Sequence, residues 1–145
     1  FIIETLTENK NRSASNIRTI LQKNGGRLGE SGSTTHLFYN CGVIHIDNKK
    51  FSEEEIFELA TNSGAKDCFH LKNIHEIISE KEDFYKVKSE FEKKIDNFIY
   101  SGIEWRANIY IDLIKEQCEK IIEILELLDE LDDVQNIYIN TNLKN

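Results

Sequence analysis

Two stretches of the chain carry residue types suited to gripping phosphate. In the first, Asn9-Lys10-Asn11-Arg12 leads into a helical segment expected to begin near Ser13. Free backbone N–H groups at a helix start attract anions, and Lys10 and Arg12 add charge-assisted bonds, the planar guanidinium being the more directional donor. Arg18, Lys23 and Arg27 extend the patch if they share its exposed face. A plainer reading competes: Ser13 caps its own helix, Asn9 and Asn11 fold the turn, and Glu8 neutralises part of the charge. The second stretch is Asn24-Gly25-Gly26-Arg27-Leu28-Gly29-Glu30-Ser31-Gly32-Ser33. A Walker loop follows a strand and opens a helix at Lys-Ser/Thr, whereas this loop follows a helix and precedes a strand, so nucleotide binding is excluded. The expectation is a mobile connection in which Gly25, Gly26, Gly29 and Gly32 take positive φ, with Arg27 and backbone groups touching RNA or protein.

Catalysis and metal binding find no support. His36, His45, His70 and His75 fall in or beside expected strands, and none stands at ligand spacing from another His or Cys. Cys41, Cys68 and Cys118 are odd in number and share no close spacing, which gives no support to a disulfide framework or a CxxC zinc motif and fits a reducing compartment. Burial explains Cys68 and Cys118 better than nucleophilic chemistry. The row Glu116, Glu119, Glu123, Glu126, Asp129 and Glu130 reads as the solvated side of an amphipathic helix. Asp132-Asp133-Val134-Gln135 differs, because it follows a helix C-terminus, where negative charge is unfavourable. Asp132, Asp133 and Gln135 therefore make either a structural turn or a partner surface. Trp105 beside Arg106 offers a base-stacking platform or a piece of core. No catalytic residue, metal or cofactor is expected, and the chain reads as no enzyme.

The elements that must hold these residues follow from hydrophobic periodicity. Phe1–Leu6 predicts a strand. A helix follows with Ala14, Ile17, Ile20 and Leu21 inward, Ser13 as N-cap and Asn24-Gly25-Gly26 at its end. Thr34–Tyr39 reads as a second strand anchored by Leu37 and Phe38, and Cys41-Gly42 punctuates. Val43–Ile46 opens a new strand, and the capping-box pattern Ser52-Glu53-Glu54-Glu55 starts a helix to Ser63, with Ile56, Leu59 and Ala60 inward and Gly64 closing. Strands near 67–71 and 74–79 follow, then a helix from about Glu82 with Phe84, Val87, Phe91 and Ile95 inward. Phe98–Tyr100 and Ile103–Ile109 are extended. Residues 43–106 thus spell βαββαβ, the ferredoxin-like order. In the last third Asp112 is expected to cap a helix burying Ile114, Cys118, Ile121, Ile122, Leu125 and Leu128; Val134–Ile139 is a strand and Asn140–Asn145 a polar tail. The elements outside 43–106 form a half-unit with no core of its own on either side. The expected fold is therefore α+β with two small domains, residues 1–42 plus 107–145 forming a discontinuous one and 43–106 inserted in it.

Composition limits the partners. A hydrophobic fraction of 39% beside 30% charged residues is that of a folded chain, and its apolar runs are too short to span a bilayer, so no membrane role is expected. The formal net charge of −8 opposes strong binding to bare nucleic acid by the chain as a whole. Residues 1–42, however, carry five Lys/Arg against three Glu, so any nucleic-acid contact is expected in the first third. No methionine occurs and the first residue is Phe, which suggests a piece of a longer protein.

Several separated motifs resemble one family. Leu6-Thr7-Glu8-Asn9-Lys10-Asn11-Arg12-Ser13, Lys23 to Gly29, Gly32-Ser33 before Leu37-Phe38, Gly102-Ile103-Glu104-Trp105-Arg106 and Leu131 to Asn140 are similar to segments of the YebC family, in the same order. That family includes the mitochondrial translational activator of cytochrome c oxidase subunit one. Ala107 departs from the pattern, since members often have proline after the Trp-Arg segment. The resemblance implies three domains, of which a basic N-terminal helical one is absent here and the ferredoxin-like third is inserted in the second. It also implies a gene-expression regulator of the cytoplasm or the mitochondrial matrix. The partners so implied are rRNA, mRNA or the ribosome, with duplex DNA as the alternative. A small-molecule-binding or enzymatic ferredoxin-like domain is the third reading, because fold does not decide function. Nothing in the sequence bears on oligomeric state.

Overall fold

The computed structural model describes residues 1–143 and is mixed α+β. Its elements are β1 (Ile2–Thr5), α1 (Lys10–Lys23), β2 (Phe38–Asp47), α2 (Glu53–Ser63), β3 (Asp67–His70), β4 (Ile74–Glu80), α3 (Phe84–Glu92), β5 (Tyr100–Ala107), β6 (Ile111–Asp112), α4 (Lys115–Asp129), β7 (Val134–Tyr138) and β8 (Thr141–Asn142). They divide into two compact units, residues 1–39 with 106–145, and residues 40–105. No helix among the described residues is long and apolar enough to cross a membrane.

The 40–105 unit is built on a four-stranded sheet of order β3-β4-β2-β5, the order a βαββαβ chain makes when its two crossovers interleave. β4 runs antiparallel to both β2 and β3, with Ile44 opposite Ile77 and Ile46 opposite His75. Period-2 alternation sends these side chains to one face, where Ile56 and Ala60 of α2 and Phe84, Val87 and Phe91 of α3 meet them in one buried cluster. Both helices therefore cover the same side of the sheet. The start of α2 is a reciprocal capping box: Glu55 N–H donates to Ser52 Oγ at 3.2 Å, and Ser52 N–H to Glu55 Oε2 at 2.9 Å. Gly64 ends the helix at φ +90°, where a side chain would be strained.

β2 corrects the sequence reading, which broke this segment at Cys41-Gly42 and placed a separate strand at 34–39. Thr35–Leu37 is instead a 3-10 turn, and β2 runs unbroken through the glycine. The reason is tertiary: a Cβ on Gly42 would collide with Phe84 and Ser79, so the glycine admits a ring and does not turn the chain. Phe38 is buried but Leu37 is exposed, so only one of the two expected anchors serves.

In the other unit β1 and β7 pair antiparallel, Ile2 opposite Tyr138 and Ile3 opposite Ile137. Ile17 and Leu21 of α1 pack with Ile124 and Leu128 of α4, and Phe1, Ile3, Leu28, Val134 and Ile137 close this core. Ile124 was missing from the expected stripe, and Ile114, which was in it, is exposed. The helix begins after Ile114, whose N–H donates to Gln117 Oε1 at 3.2 Å. Asp112 is not its cap. It lies in β6, which pairs parallel with β8, and accepts from Asn142 Nδ2 at 3.2 Å. The tail thus holds a strand that local pattern did not reveal; Lys144 and Asn145 lie outside the described residues.

Two substitutions in the 40–105 unit calibrate this packing. Gly42→Ala should destabilise by about 1–3 kcal/mol through overpacking against Phe84, and Phe91→Ala by about 3–5 kcal/mol through cavity formation. Urea unfolding of the chain checks both.

Candidate nucleic-acid interface

The first turn of α1 is made differently from its expected form. Asn9, not Ser13, is the N-cap: with φ −135° and ψ 94° it directs Oδ1 to the Arg12 N–H at 3.0 Å. The helix starts at Lys10, one turn earlier than periodicity suggested, because the turn before it has no apolar residue to mark it. Thr7 prepares the cap by accepting the Asn9 N–H on Oγ1 at 3.1 Å.

Ser13 is thereby released for another task, and it is buried. Its Oγ donates to Asp133 Oδ2 at 2.6 Å and lies 2.7 Å from Thr7 Oγ1. Arg12 Nη2 reaches both oxygens of the same carboxylate, at 3.0 and 3.2 Å. The Asp133 carbonyl also accepts the Leu6 N–H at 2.9 Å. Asp133 therefore ties the α4–β7 turn to the segment between β1 and α1. The hydrogen bond from Ser13, with the bond and charge of Arg12, holds its carboxyl below the ordinary value near 3.8. Of the two roles left open for Asp133, this geometry supplies the structural one. Asp132 is exposed beside it. Gln135 is the extra residue of a β-bulge, since Glu4 faces Asn136 while Thr5 faces Val134.

The rest of α1 presents a surface without acids. Its sequence, KNRSASNIRTILQK, holds four cations and no carboxylate. With Ser13, Ile17 and Leu21 inward, Lys10, Asn11, Arg12, Ser15, Asn16, Arg18, Thr19, Gln22 and Lys23 are all exposed. Arg12 differs from the other three cations because its charge is spent on Asp133. Beyond Lys23, Gly25 and Gly32 take positive φ, 81° and 79°, while Gly26 and Gly29 do not. The Gly26 N–H closes the helix on Leu21 O at 2.7 Å, and a Cβ on Gly29 would stand 2.6 Å from Ser33 Oγ. The loop is pinned at Leu28, which packs on the core, and at Thr34, whose Oγ1 donates to Phe1 O at 3.2 Å. Arg27 is exposed next to Leu28. At about 100° per residue Lys10 and Arg18 lie about 80° apart around α1 and Lys23 about 140° from each, so the cations are spread around its exposed side and do not share one face, beside the acid-lined α4 that packs against α1. The residues that sequence reasoning missed are Thr7 and Ser13 as partners of Asp133. The signal available was an acid at a helix C-terminus, where it calls for a counter-charge.

His45, His70 and His75 belong to the 40–105 unit, and His36 lies exposed in the 3-10 turn Thr35–Leu37 of the other. His75 is buried, donates Nε2–H to Phe51 O at 2.7 Å, and in that tautomer accepts on Nδ1 from His70 Nδ1–H at 2.8 Å. His45 Nε2 lies 2.8 Å from Glu76 Oε2. Burial, with the Asp67 charge adjoining, pushes the Cys68 thiol up and so away from the reactive thiolate. Among the described residues no three His, Cys, Asp or Glu stand together as metal ligands. Trp105 is half-buried in β5.

Because the folded pKa of Asp133 is depressed, its contribution to stability is full above about pH 4 and is lost as pH falls through the folded value. Acid titration of stability should therefore separate wild type from Asp133→Asn at neutral pH and bring the two together at low pH. Ser13→Ala, which leaves the part-buried bond to the carboxylate unmade, should lower stability at pH 7, read by urea unfolding.

Comparison with known proteins places the chain. It is 48% identical over 144 residues to a probable transcriptional regulatory protein of Pelagibacter ubique, a match covering 99% of this chain and 60% of that protein. A probable transcriptional regulatory protein of Caldicellulosiruptor bescii is 38% identical over 140 residues, covering 96% and 58%. The crystal structure of a conserved hypothetical protein from Aquifex aeolicus superposes with a TM-score of 0.82 at 35% identity, covering 95% of this chain and 57% of that one. The chain therefore spans somewhat over half the length of these relatives. A family model described as the TACO1/YebC second and third domain matches residues 1–141. With the fold, the motifs and this match in agreement, the chain belongs to the TACO1/YebC family.

Proposed function

We propose that this chain is the RNA-facing part of a non-enzymatic gene-expression factor that works on or beside the ribosome, in the bacterial cytoplasm or the mitochondrial matrix. The observation that carries the reading is the acid-free exposed face of α1, continued by the amide-rich loop from Asn24 to Ser33. Lys10, Arg18, Lys23 and Arg27 supply phosphate partners there. Asn11, Ser15, Asn16 and Gln22 supply neutral hydrogen-bonding groups that tolerate a sugar-phosphate surface. Arg12 and Asn9 hold the helix start in position, and Asp133 holds Arg12.

Charge favours RNA in a mixed protein–RNA setting over naked duplex. A chain of net charge −8 with so few cations on α1 neutralises few phosphates, so it depends on neighbouring contacts for affinity. The second reading, a duplex-DNA-binding transcriptional regulator, is favoured by the names of the Pelagibacter and Caldicellulosiruptor proteins. Salt dependence and competitor choice separate the two.

The full-length protein should co-sediment with ribosomes at low salt. Replacing Lys10, Arg18 and Lys23 together by Gln should weaken the association and lower the slope of log affinity against log salt by about 2 on single-stranded RNA. Arg12 is left intact in that variant so that the fold is not disturbed. Unchanged co-sedimentation, or retention on a specific duplex at raised salt in place of ribosomes, would reject the RNA reading.

A further inference from the structure

We propose that His70 and His75 form a two-histidine site for an exchangeable divalent transition metal of the zinc type. Pairing in the sheet builds it. His70 of β3 stands directly opposite His75 of β4, and both lie on the side of the sheet that carries Ile44 and Ile77. Their ring centroids are 4.9 Å apart and their planes nearly perpendicular, at 87°, with Nδ1 standing 2.8 Å from Nδ1.

Orientation distinguishes this pair from two rings that merely adjoin. His75 is 2% exposed and donates Nε2–H to Phe51 O at 2.7 Å, which leaves Nδ1 as its lone-pair nitrogen. A backbone carbonyl on the far nitrogen is the usual partner of a metal-bound imidazole, since it fixes the tautomer and makes the binding nitrogen more basic. Phe51 is itself held. It packs on the core, and Asn48 Nδ2 donates to Leu71 O and Lys72 O, both at 3.0 Å, tying the β2–α2 connection to the β3–β4 turn. The buried ligand is thus preset, while His70 is exposed and free to adjust to it.

The pair as it stands is closed by one hydrogen bond, from His70 Nδ1–H to His75 Nδ1. Two nitrogens about 2.0–2.1 Å from a tetrahedral zinc stand about 3.3 Å apart, so a small turn of the His70 ring, opening the pair by about 0.5 Å, admits the ion. On binding, a proton leaves His70 Nδ1 and one is taken up at Nε2 of the same ring. The neutral pair therefore binds without net proton loss, and both Nδ1 lone pairs converge on the metal.

The donor set selects the ion. On this side of β3 and β4 the other positions are Cys68, Ile77 and Ser79, while Asp67, Glu76 and Glu80 alternate to the opposite side. Two imidazoles with no carboxylate on their side of these strands favour Zn²⁺, Cu²⁺ or Ni²⁺ over Mg²⁺ and Ca²⁺. Cys68 does not join them, because burial and the Asp67 charge keep its thiol protonated, and among the described residues no three side-chain ligands come together. A structural zinc takes four protein ligands; with two, water completes the shell and the ion exchanges. The site belongs to the 40–105 unit and does not rest on the reading proposed for α1.

The test is a titration of the isotope-labelled chain with Zn²⁺ alone and, separately, with Mg²⁺ alone, followed by proton–nitrogen correlation spectra of the histidine rings. Zn²⁺ should shift the Nδ1 resonances of His70 and His75 together and saturably, with His36 and His45 unmoved, and Mg²⁺ should shift none of them. His70→Gln, at an exposed position, should weaken Zn²⁺ binding by about tenfold or more, because the second ligand acts at a high effective concentration. His45→Gln should leave binding unchanged. The thermal unfolding midpoint should rise with Zn²⁺ in the wild type and not in His70→Gln. The proposal is overturned if Zn²⁺ leaves both Nδ1 nuclei unmoved, if His70→Gln binds as the wild type does, or if His36 and His45 respond at the same concentrations.

Discussion

The carboxylate of Asp133 stands at the end of a helix whose dipole disfavours it, and its position is paid for by what it holds. Ser13 and Arg12 come to it from the first turn of α1, and Thr7 and Leu6 from the loop before that helix. Between them these contacts join the two ends of a unit whose halves are separated in sequence by residues 40–105. The apolar contacts of Ile17 and Leu21 with Ile124 and Leu128 supply the burial, which is non-directional. The ionic cluster supplies the register, fixing where along α4 and β7 the start of α1 must lie. The surface on the outer side of α1 inherits its position from that choice.

This arrangement sorts charge within the chain. Within this unit, α1 and the loop after it carry five Lys or Arg against one Glu, and α4 carries five acids against two Lys. An overall acidic chain can therefore offer phosphate a local welcome while repelling it elsewhere, which favours a single orientation on a mixed partner over loose electrostatic sliding. Arg12 shows why charge counting by sequence overstates such a surface. A guanidinium with a dedicated carboxylate is a positioning group, which leaves the exposed Lys10, Arg18 and Lys23 as the cations of the proposed contact.

What was legible in the sequence was what local chemistry decides. Ser52 and Glu55 close their capping box as their spacing implies, Gly64 ends α2, and the stripes of Ile56 with Ala60 and of Phe84, Val87 and Phe91 reach one core. Where a distant partner decides, the reading moved. Gly42 looked like punctuation because the ring of Phe84, which needs its missing Cβ, lies some forty residues on. Asp112 looked like a cap because its strand partner is in the tail. Ser13 looked like a cap because its true acceptor is a side chain 120 residues away. At the candidate interface the residue types were evident, but which cation was spoken for was not, since that rests on the same long-range carboxylate. Family resemblance supplied the order of motifs; only geometry divided them into residues that hold and residues left exposed.

The central claim is that the outer face of α1, held by Asp133, is where this chain meets RNA. In-cell crosslinking of the full-length protein, with mass-spectrometric mapping of the nucleotide-modified residues, addresses it most directly. The account predicts RNA adducts concentrated from Lys10 to Arg27, recovered with ribosomal or messenger sequences. Adducts confined to other surfaces, or recovery of promoter DNA in place of RNA, would contradict it.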